Sequence, residues 1–183
     1  MNSSTDPAVI DKLKSLIRSV PDFPRPGIIF RDITPLLAHA EGLALACRAL
    51  AQPYRSQNID LVVGAESRGF IFGAAVAREL NCGFIPVRKP GKLPARTISQ
   101  AYQLEYGTDK LEIHADAVKP QQRVVMLDDL LATGGTMKAC CQMVRSLGAE
   151  IVGVSFLIEL TFLNGRNVLT DWPVHSIITY DII

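Results

Sequence analysis

Arg123-Val-Val-Met-Leu-Asp128-Asp129-Leu-Leu-Ala-Thr133-Gly134-Gly135-Thr136 joins a short apolar run to two acids and then to a loop of small residues. Residues 124–127 form the uninterrupted apolar stretch expected of a parallel strand covered on both faces. From Gly135 onward Met137, Cys140, Val144 and Leu147 recur at helical spacing. The strand is therefore expected to end at the acids, with the loop at its carboxyl end opening a helix. There the free N–H groups of a first helical turn and the helix dipole favour an anion, and Gly134 and Gly135 let it approach the backbone. Thr133 and Thr136 add hydroxyl donors. Two carboxylates beside a phosphate would repel it unless they serve something else, and vicinal hydroxyls with a hard divalent cation nearby suit them. The whole fits a ribose 5-phosphate. The plainer alternative is a solvated Asp-Asp turn before an ordinary helix N-terminus.

Other phosphate signatures are absent. Gly64 and Gly69 have the separation of a P-loop, but Phe70 follows where lysine is needed, and there is no G-x-G-x-x-G run. With 183 residues and 48% hydrophobic content the chain is expected to be a single domain, 1–183, able to bury a sizeable core. The net charge of +1, from 19 basic and 18 acidic residues, recommends neither nucleic acid nor an anionic membrane as partner. Cys47, Cys82, Cys140 and Cys141 have no metal-ligand spacing and read as small buried hydrophobes in a reducing compartment. The amino terminus is too charged for a signal peptide, and no stretch is long enough to span a bilayer. A cytoplasmic protein is expected.

Outward from the opening stretch, Pro7 suits the first turn of a helix whose apolar face is Ile10, Leu13, Ile17 and Val20. That helix is expected to pack as a lid or dimer element. Residues 43–50 predict a second helix, 59–63 a buried strand, 69–80 a helix and 84–87 a strand. The proline-, glycine- and lysine-rich residues 89–101 read as a mobile loop. Residues 104–106 and 110–113 suggest a hairpin across Gly107-Thr108. Gly148 reads as the C-cap of the helix from Gly135, before a long strand over 151–160. Strands alternating with helices indicate a doubly wound, mostly parallel α/β sheet, with ligands at the carboxyl edge of its strands.

A second loop leaves the same edge at Gly64-Ala-Glu66-Ser67-Arg68-Gly69. Arg68 beside small residues can hold pyrophosphate bidentately with help from backbone N–H groups, the alternative being a surface salt bridge. Arg88, Lys89 and Lys92 add positive charge for a leaving pyrophosphate. A solvated basic loop would look the same.

The run 124–136 resembles the 5-phosphoribosyl pyrophosphate (PRPP) motif of type I phosphoribosyltransferases, with its double acid and Thr-Gly-Gly-Thr. Three further segments, 22–35, 64–70, and 87–94 continuing to Leu104-Glu105-Tyr106-Gly107, are similar to adenine phosphoribosyltransferases in particular. With Leu157-Ile-Glu-Leu160 the resemblance covers nearly the whole chain.

The resemblance implies the type I phosphoribosyltransferase fold, with an N-terminal helix and base-recognition hood over 1–35 and a flexible catalytic loop over 88–106. It implies transfer of phosphoribose from PRPP to N9 of adenine, giving AMP and pyrophosphate, with Mg2+ as cofactor and a homodimer as assembly. Asp128 and Asp129 would hold the ribose hydroxyls, with Mg2+ carried mainly by PRPP and near this pair. Ala132, Thr133, Gly134, Gly135 and Thr136 would hold the 5-phosphate. Glu66, Ser67, Arg68, Arg88, Lys89 and Lys92 would surround pyrophosphate, a cis Glu66-Ser67 peptide among them. Backbone groups of Ile29 and Arg31 would face adenine N1 and N6, a pairing that mismatches a 6-oxopurine. Phe30 would stack on the base. Glu105 would interact with N7 and manage the N9 proton as acid/base, and Tyr106 would close near the pyrophosphate, Arg68 completing the catalytic set. The rivals are a noncatalytic PRPP or nucleotide sensor on the same fold and an enzyme of the same chemistry using a 6-oxopurine.

Overall fold

A computed structural model describes residues 5–103 and 108–182. Helix α1 (Pro7–Ser15) starts as its sequence dictates: Pro7 occupies the first turn and the Asp6 carboxylate accepts from the Ala8 N–H at 2.9 Å. A ribbon of β1 (Arg18–Val20) and β2 (Phe30–Asp32) follows, then α2 (Thr34–Ala38) and α3 (Ala40–Ala51). The central sheet uses β3 (Leu61–Ala65), β4 (Gly83–Val87), β7 (Arg123–Leu131), β8 (Glu150–Leu160) and β9 (Val174–Tyr180). Between β3 and β4 runs α4 (Gly69–Glu79), and between β7 and β8 runs α5 (Gly135–Ser146). The antiparallel hairpin of β5 (Thr97–Gln103) and β6 (Thr108–His114) stands apart from the sheet.

The five strands are all parallel, in the order β4-β3-β7-β8-β9. Their apolar runs are continuous because both faces are covered. Val62, Leu127 and Leu157 look toward α1–α4, together with Phe72 and Leu13, while Val63, Met126 and Phe156 look toward α5 and the hairpin. From β3 the chain turns first to β4 on one side and later to β7 on the other. The carboxyl ends of β3 and β7 therefore flank a topological switch point, where open α/β sheets bind ligands.

Three expectations are corrected. Helix α1 stops at Ser15, closing with Leu16 N–H to Leu13 C=O and Ile17 N–H to Lys14 C=O bonds, so Val20 is a strand residue paired with Phe30. Strand β7 does not end at the acids but runs on to Leu131, because β8 continues beside it and pairs Leu130 with Ile158 and Leu131 with Glu159. The expected loop over 89–101 is strand from Thr97 on, and the hairpin pairs Thr97–Gln103 with β6, while the expected strand over 104–106 lies outside the described residues. Pro90, Gly91 and Pro94 punctuate only the first half of that segment, and β6 supplies the partner that fixes the second. Strand β9, the β1/β2 ribbon and α2 had no expectation attached.

Candidate active site

Two loops converge at the switch point. After β7, Ala132 and Thr133 lead to Gly134, whose φ of +82° places it in the left-handed region at the N-cap of α5. Only glycine takes that conformation without cost, and the turn aims the first backbone N–H groups of α5 out of the sheet edge. After β3, residues 66–68 lead into α4, and the Glu66-Ser67 peptide is cis. Together the loops line a cavity of about 330 Å³, whose walls include Glu66, Ser67, Arg68, Lys89, Asp128, Asp129 and residues 132–136.

Arg68 joins the two loops. Its Nε lies 2.9 Å from Asp129 Oδ2, and its guanidinium sits 5.4 Å over the ring of Phe30. Phe30 in turn meets Phe23 edge-on at 5.2 Å, so the β1/β2 ribbon is tied to the two loops through a cation–π contact. Asp129 is 5% exposed. Burial pushes its carboxyl up from the ordinary range, against the pull of Arg68. Asp128 is pushed up further, by burial and then by the neighbouring Asp129 charge. Its Oδ1 accepts from the Asp129 N–H at 2.9 Å.

Glu66 is not free to meet an anion: its Oε2 accepts from Lys89 N–H at 2.9 Å and Arg88 Nε at 3.2 Å, pinning the end of β4 to that of β3. Arg88 also exchanges backbone bonds with Glu112 and donates from Nη1 to the Lys92 carbonyl at 3.3 Å. Lys89 lines the cavity, and its Nζ is paired with Asp109. Lys92 is exposed and lies outside the cavity lining. Arg31 points its guanidinium away from the cavity, 3.9 Å over Tyr180 and within 2.6 Å of Ser19 Oγ. Ile29 is half-buried just before β2. Glu105 and Tyr106 lie outside the described residues.

The cavity also takes residues that sequence reasoning missed. Tyr102 and Leu111 come from the hairpin, Leu130 and Leu131 from β7, Met137 from α5 and Phe156 from β8. Tyr102 contacts the Thr136 hydroxyl, donates to Asp109 Oδ2 at 3.3 Å, and has its phenol pushed up by burial. The alternation Ile98, Gln100, Tyr102 was its available signal. Chemically, the site sets a helix start able to hold an anion beside two adjacent acids, Asp129 buried and Asp128 half-buried, and the Arg68 guanidinium.

A family model of the phosphoribosyl transferase domain matches residues 33–168. An adenine phosphoribosyltransferase of Acidobacterium capsulatum is 59% identical over 170 residues, 93% of this chain and 94% of that protein. The crystal structure of adenine phosphoribosyltransferase from Rhodothermus marinus superposes with a TM-score of 0.91 at 52% identity, covering 96% of this chain and all of that one, 100%. That of Saccharomyces cerevisiae, complexed with adenine and an imino-altritol bisphosphate, gives 0.88 at 37% identity over 93% of this chain and 98% of its own. With the two loops converging at the switch point and likeness of this extent over more than nine-tenths of the chain, the protein belongs to the phosphoribosyltransferases and, among them, to the adenine phosphoribosyltransferase family.

Proposed function

We propose that the cavity at the switch point is where this chain carries out the reaction of its family, phosphoribosyl transfer from PRPP to adenine giving AMP, a purine-salvage step. The single observation that carries the assignment of residues is the convergence of the Glu66–Arg68 and Asp128–Thr136 loops on one cavity, joined by the Arg68–Asp129 pair. In this reading residues 132–136 hold the 5-phosphate on the free N–H groups of α5, and Asp128 and Asp129 accept from the ribose hydroxyls. C1 is thereby fixed for in-line attack by N9. Glu66, Ser67, Arg68, Arg88, Lys89 and Lys92 surround the departing pyrophosphate, with Arg68 bearing most directly on its charge. Glu66 acts by placing the Lys89 backbone and the Arg88 side chain, Lys89 by exchanging Asp109 for a phosphate oxygen.

Adenine lies against Phe30. Among the described residues strand β2 has a strand neighbour on one side only, which leaves its other edge to offer backbone groups beside the base. The N1 acceptor and N6 donor of adenine match an N–H and C=O from Ile29 and Arg31. Glu105 serves as acid/base at N7 and N9, and Tyr106 closes by the pyrophosphate. Residues 1–35 act as the hood and 88–106 as the closing loop of one 1–183 domain.

Mg2+ fits this donor set in one way. Among the described residues no cluster of three or more metal-ligating side chains exists, and Asp129 is already held by Arg68. A hard ion that keeps its waters and takes one or two carboxylates plus substrate oxygens suits such a site. Bound with PRPP beside Asp128 and Asp129, it would neutralise pyrophosphate charge. The homodimer and the cytoplasmic location are proposed on family membership. Among the described residues no helix is long and apolar enough to cross a membrane, and sedimentation of the purified chain tests the dimer.

The deciding assay is pyrophosphate release from PRPP and Mg2+ with adenine, hypoxanthine, guanine or xanthine supplied separately, beside an Asp128→Ala, Asp129→Ala variant. Turnover with adenine alone, lost in the variant, is expected. Preference for an oxopurine would overturn the roles of Ile29 and Arg31. PRPP binding without turnover would make the chain a sensor.

A further inference from the structure

We infer that Gly165, Arg166 and Glu159 form a backstop that fixes the phosphate loop from behind, and so act as positioning residues for PRPP. The inference rests on the reading of residues 132–136 as the 5-phosphate site. None of the three lines the cavity.

Beyond β8 the chain makes a 3-10 turn, Gly165–Val168. It packs against the loop backbone to backbone. A Cβ on Gly134 would come within 2.6 Å of both the Gly165 carbonyl oxygen and Val168 Cγ2, and a Cβ on Gly165 would overlap the Ala132 carbonyl oxygen. The two glycines differ in what they need. Gly134 has a positive φ and would be glycine for that reason alone. Gly165 is not among the positive-φ glycines, so its backbone would accept alanine. What excludes a side chain there is the space taken by the phosphate loop.

The turn is itself held. Arg166 forks onto Glu159, Nε to Oε1 at 2.6 Å and Nη2 to Oε2 at 2.7 Å, while Nη1 donates to the Val174 carbonyl at 2.8 Å and Nη2 also to Ser176 Oγ at 3.2 Å. Glu159 is 3% exposed and sits in register with Leu131, the last residue of β7. One planar guanidinium thus ties the turn to β8 and β9 beside the point where the phosphate loop leaves the sheet, and a bidentate pair fixes direction as well as distance. A loop that binds by backbone N–H groups gains most from such fixation, since its donors cannot be re-aimed by rotamer changes.

Steady-state kinetics on Gly165→Ala, Arg166→Ala and Arg166→Lys, with thermal melting of each, tests the backstop. Thr136→Ala, in the loop itself, serves as comparison. Gly165→Ala and Arg166→Ala are expected to raise KM for PRPP about tenfold or more while KM for adenine stays within about twofold, and Arg166→Lys to recover only part. Calorimetric titration with ribose 5-phosphate is expected to weaken in parallel. A variant that merely loses folded protein lowers the apparent kcat and leaves both KM values alone, and that result would overturn the inference. Should Thr136→Ala raise KM for PRPP while both backstop variants leave it unchanged, the backstop is wrong and the loop assignment stands. Should Thr136→Ala also leave it unchanged, the loop assignment fails and takes the backstop with it.

Discussion

At Asp129 burial and charge oppose each other within one side chain: the carboxylate is 5% exposed, and the Arg68 guanidinium at 2.9 Å is its counter-ion. Removing one partner of such a pair leaves an uncompensated buried charge, which costs about 3–5 kcal/mol when both are buried. Because the Arg68 side chain is 38% exposed, solvent screens the pair, and Arg68→Ala is expected to cost about 1–2 kcal/mol in urea unfolding. Its kcat/KM for PRPP is expected to fall about a hundredfold or more, since the same guanidinium is assigned to pyrophosphate. Equal losses with PRPP bound and absent from the denaturation would separate a stability effect from a binding one. His175 gives a pH prediction of opposite origin. Burial, and then the nearby Arg166 charge, lower its pKa from the usual 6.5, and its Nε2 is buried with no hydrogen-bond partner among the described residues. The unfolded chain binds this proton more readily, so the stability is complete above 6.5 and is lost as pH falls toward the folded value. Thermal midpoints taken from about pH 7.5 to about pH 5.5 should fall more steeply for the natural chain than for His175→Gln. Identical slopes would sink the assignment.

The hairpin β5/β6 is the element that most changes how the site is read. It delivers Tyr102 to the cavity and Asp109 to Lys89, an acid placed where the proposed chemistry wants positive charge. The Lys89–Asp109 pair is partly exposed, and its pull lowers the Asp109 carboxyl and raises the Lys89 ammonium. An exposed pair of this kind contributes under about 1 kcal/mol. Asp109→Asn is therefore expected to melt as the natural chain does and to bind pyrophosphate more tightly, because Lys89 no longer exchanges a counter-ion for the ligand. Weaker product inhibition in this variant would show that Asp109 orients Lys89 rather than competing for it. The hairpin also marks the limit of what the residues alone disclose. Strand β3 and the start of β7 were legible because each is an apolar run too short for a helix, β8 because a long apolar run follows the Gly148 stop, and the loops after β3 and β7 because glycines and charges follow at once. The residues 97–103 carry polar and small side chains on one face, Ser99 and Ala101 among them, and three prolines and glycines stand just before them. Their strand character is fixed by pairing with β6, and the alternation of Ile98, Gln100 and Tyr102 is too weak a pattern to announce it alone. Gly165 and Arg166 were invisible for the same reason. A glycine needed for space, not for its φ, has no signature until the Ala132 carbonyl lies against it.

Across the whole molecule the sheet separates two apolar clusters, one beneath α1–α4 and one beneath α5 and the hairpin. The second supplies most of the apolar lining of the cavity: Met137, Leu131, Leu111 and Phe156 belong to it, while Leu130, packed against the first, lines the site as well. Phe72, fully buried in the first cluster on α4, faces away from the ligand. Phe72→Ala leaves a large cavity and is expected to cost about 3–5 kcal/mol while leaving both KM values unchanged. Ligand binding acts on this stability by mass action alone: PRPP with Mg2+ at about 100 times its dissociation constant adds about 2.7 kcal/mol to whatever the chain has without it. For a chain of this size that corresponds to a rise in melting temperature of about 5–10 °C. The natural chain and Phe72→Ala should therefore melt along parallel curves, each raised by the same free energy when PRPP is present. The Asp128→Ala, Asp129→Ala variant should show no rise. Protection of that variant would remove the acids from the ligand site. Protection of the natural chain but not of Phe72→Ala would mean that the two faces of the sheet are coupled, and that the core beneath α4 helps hold the phosphate loops in their binding geometry.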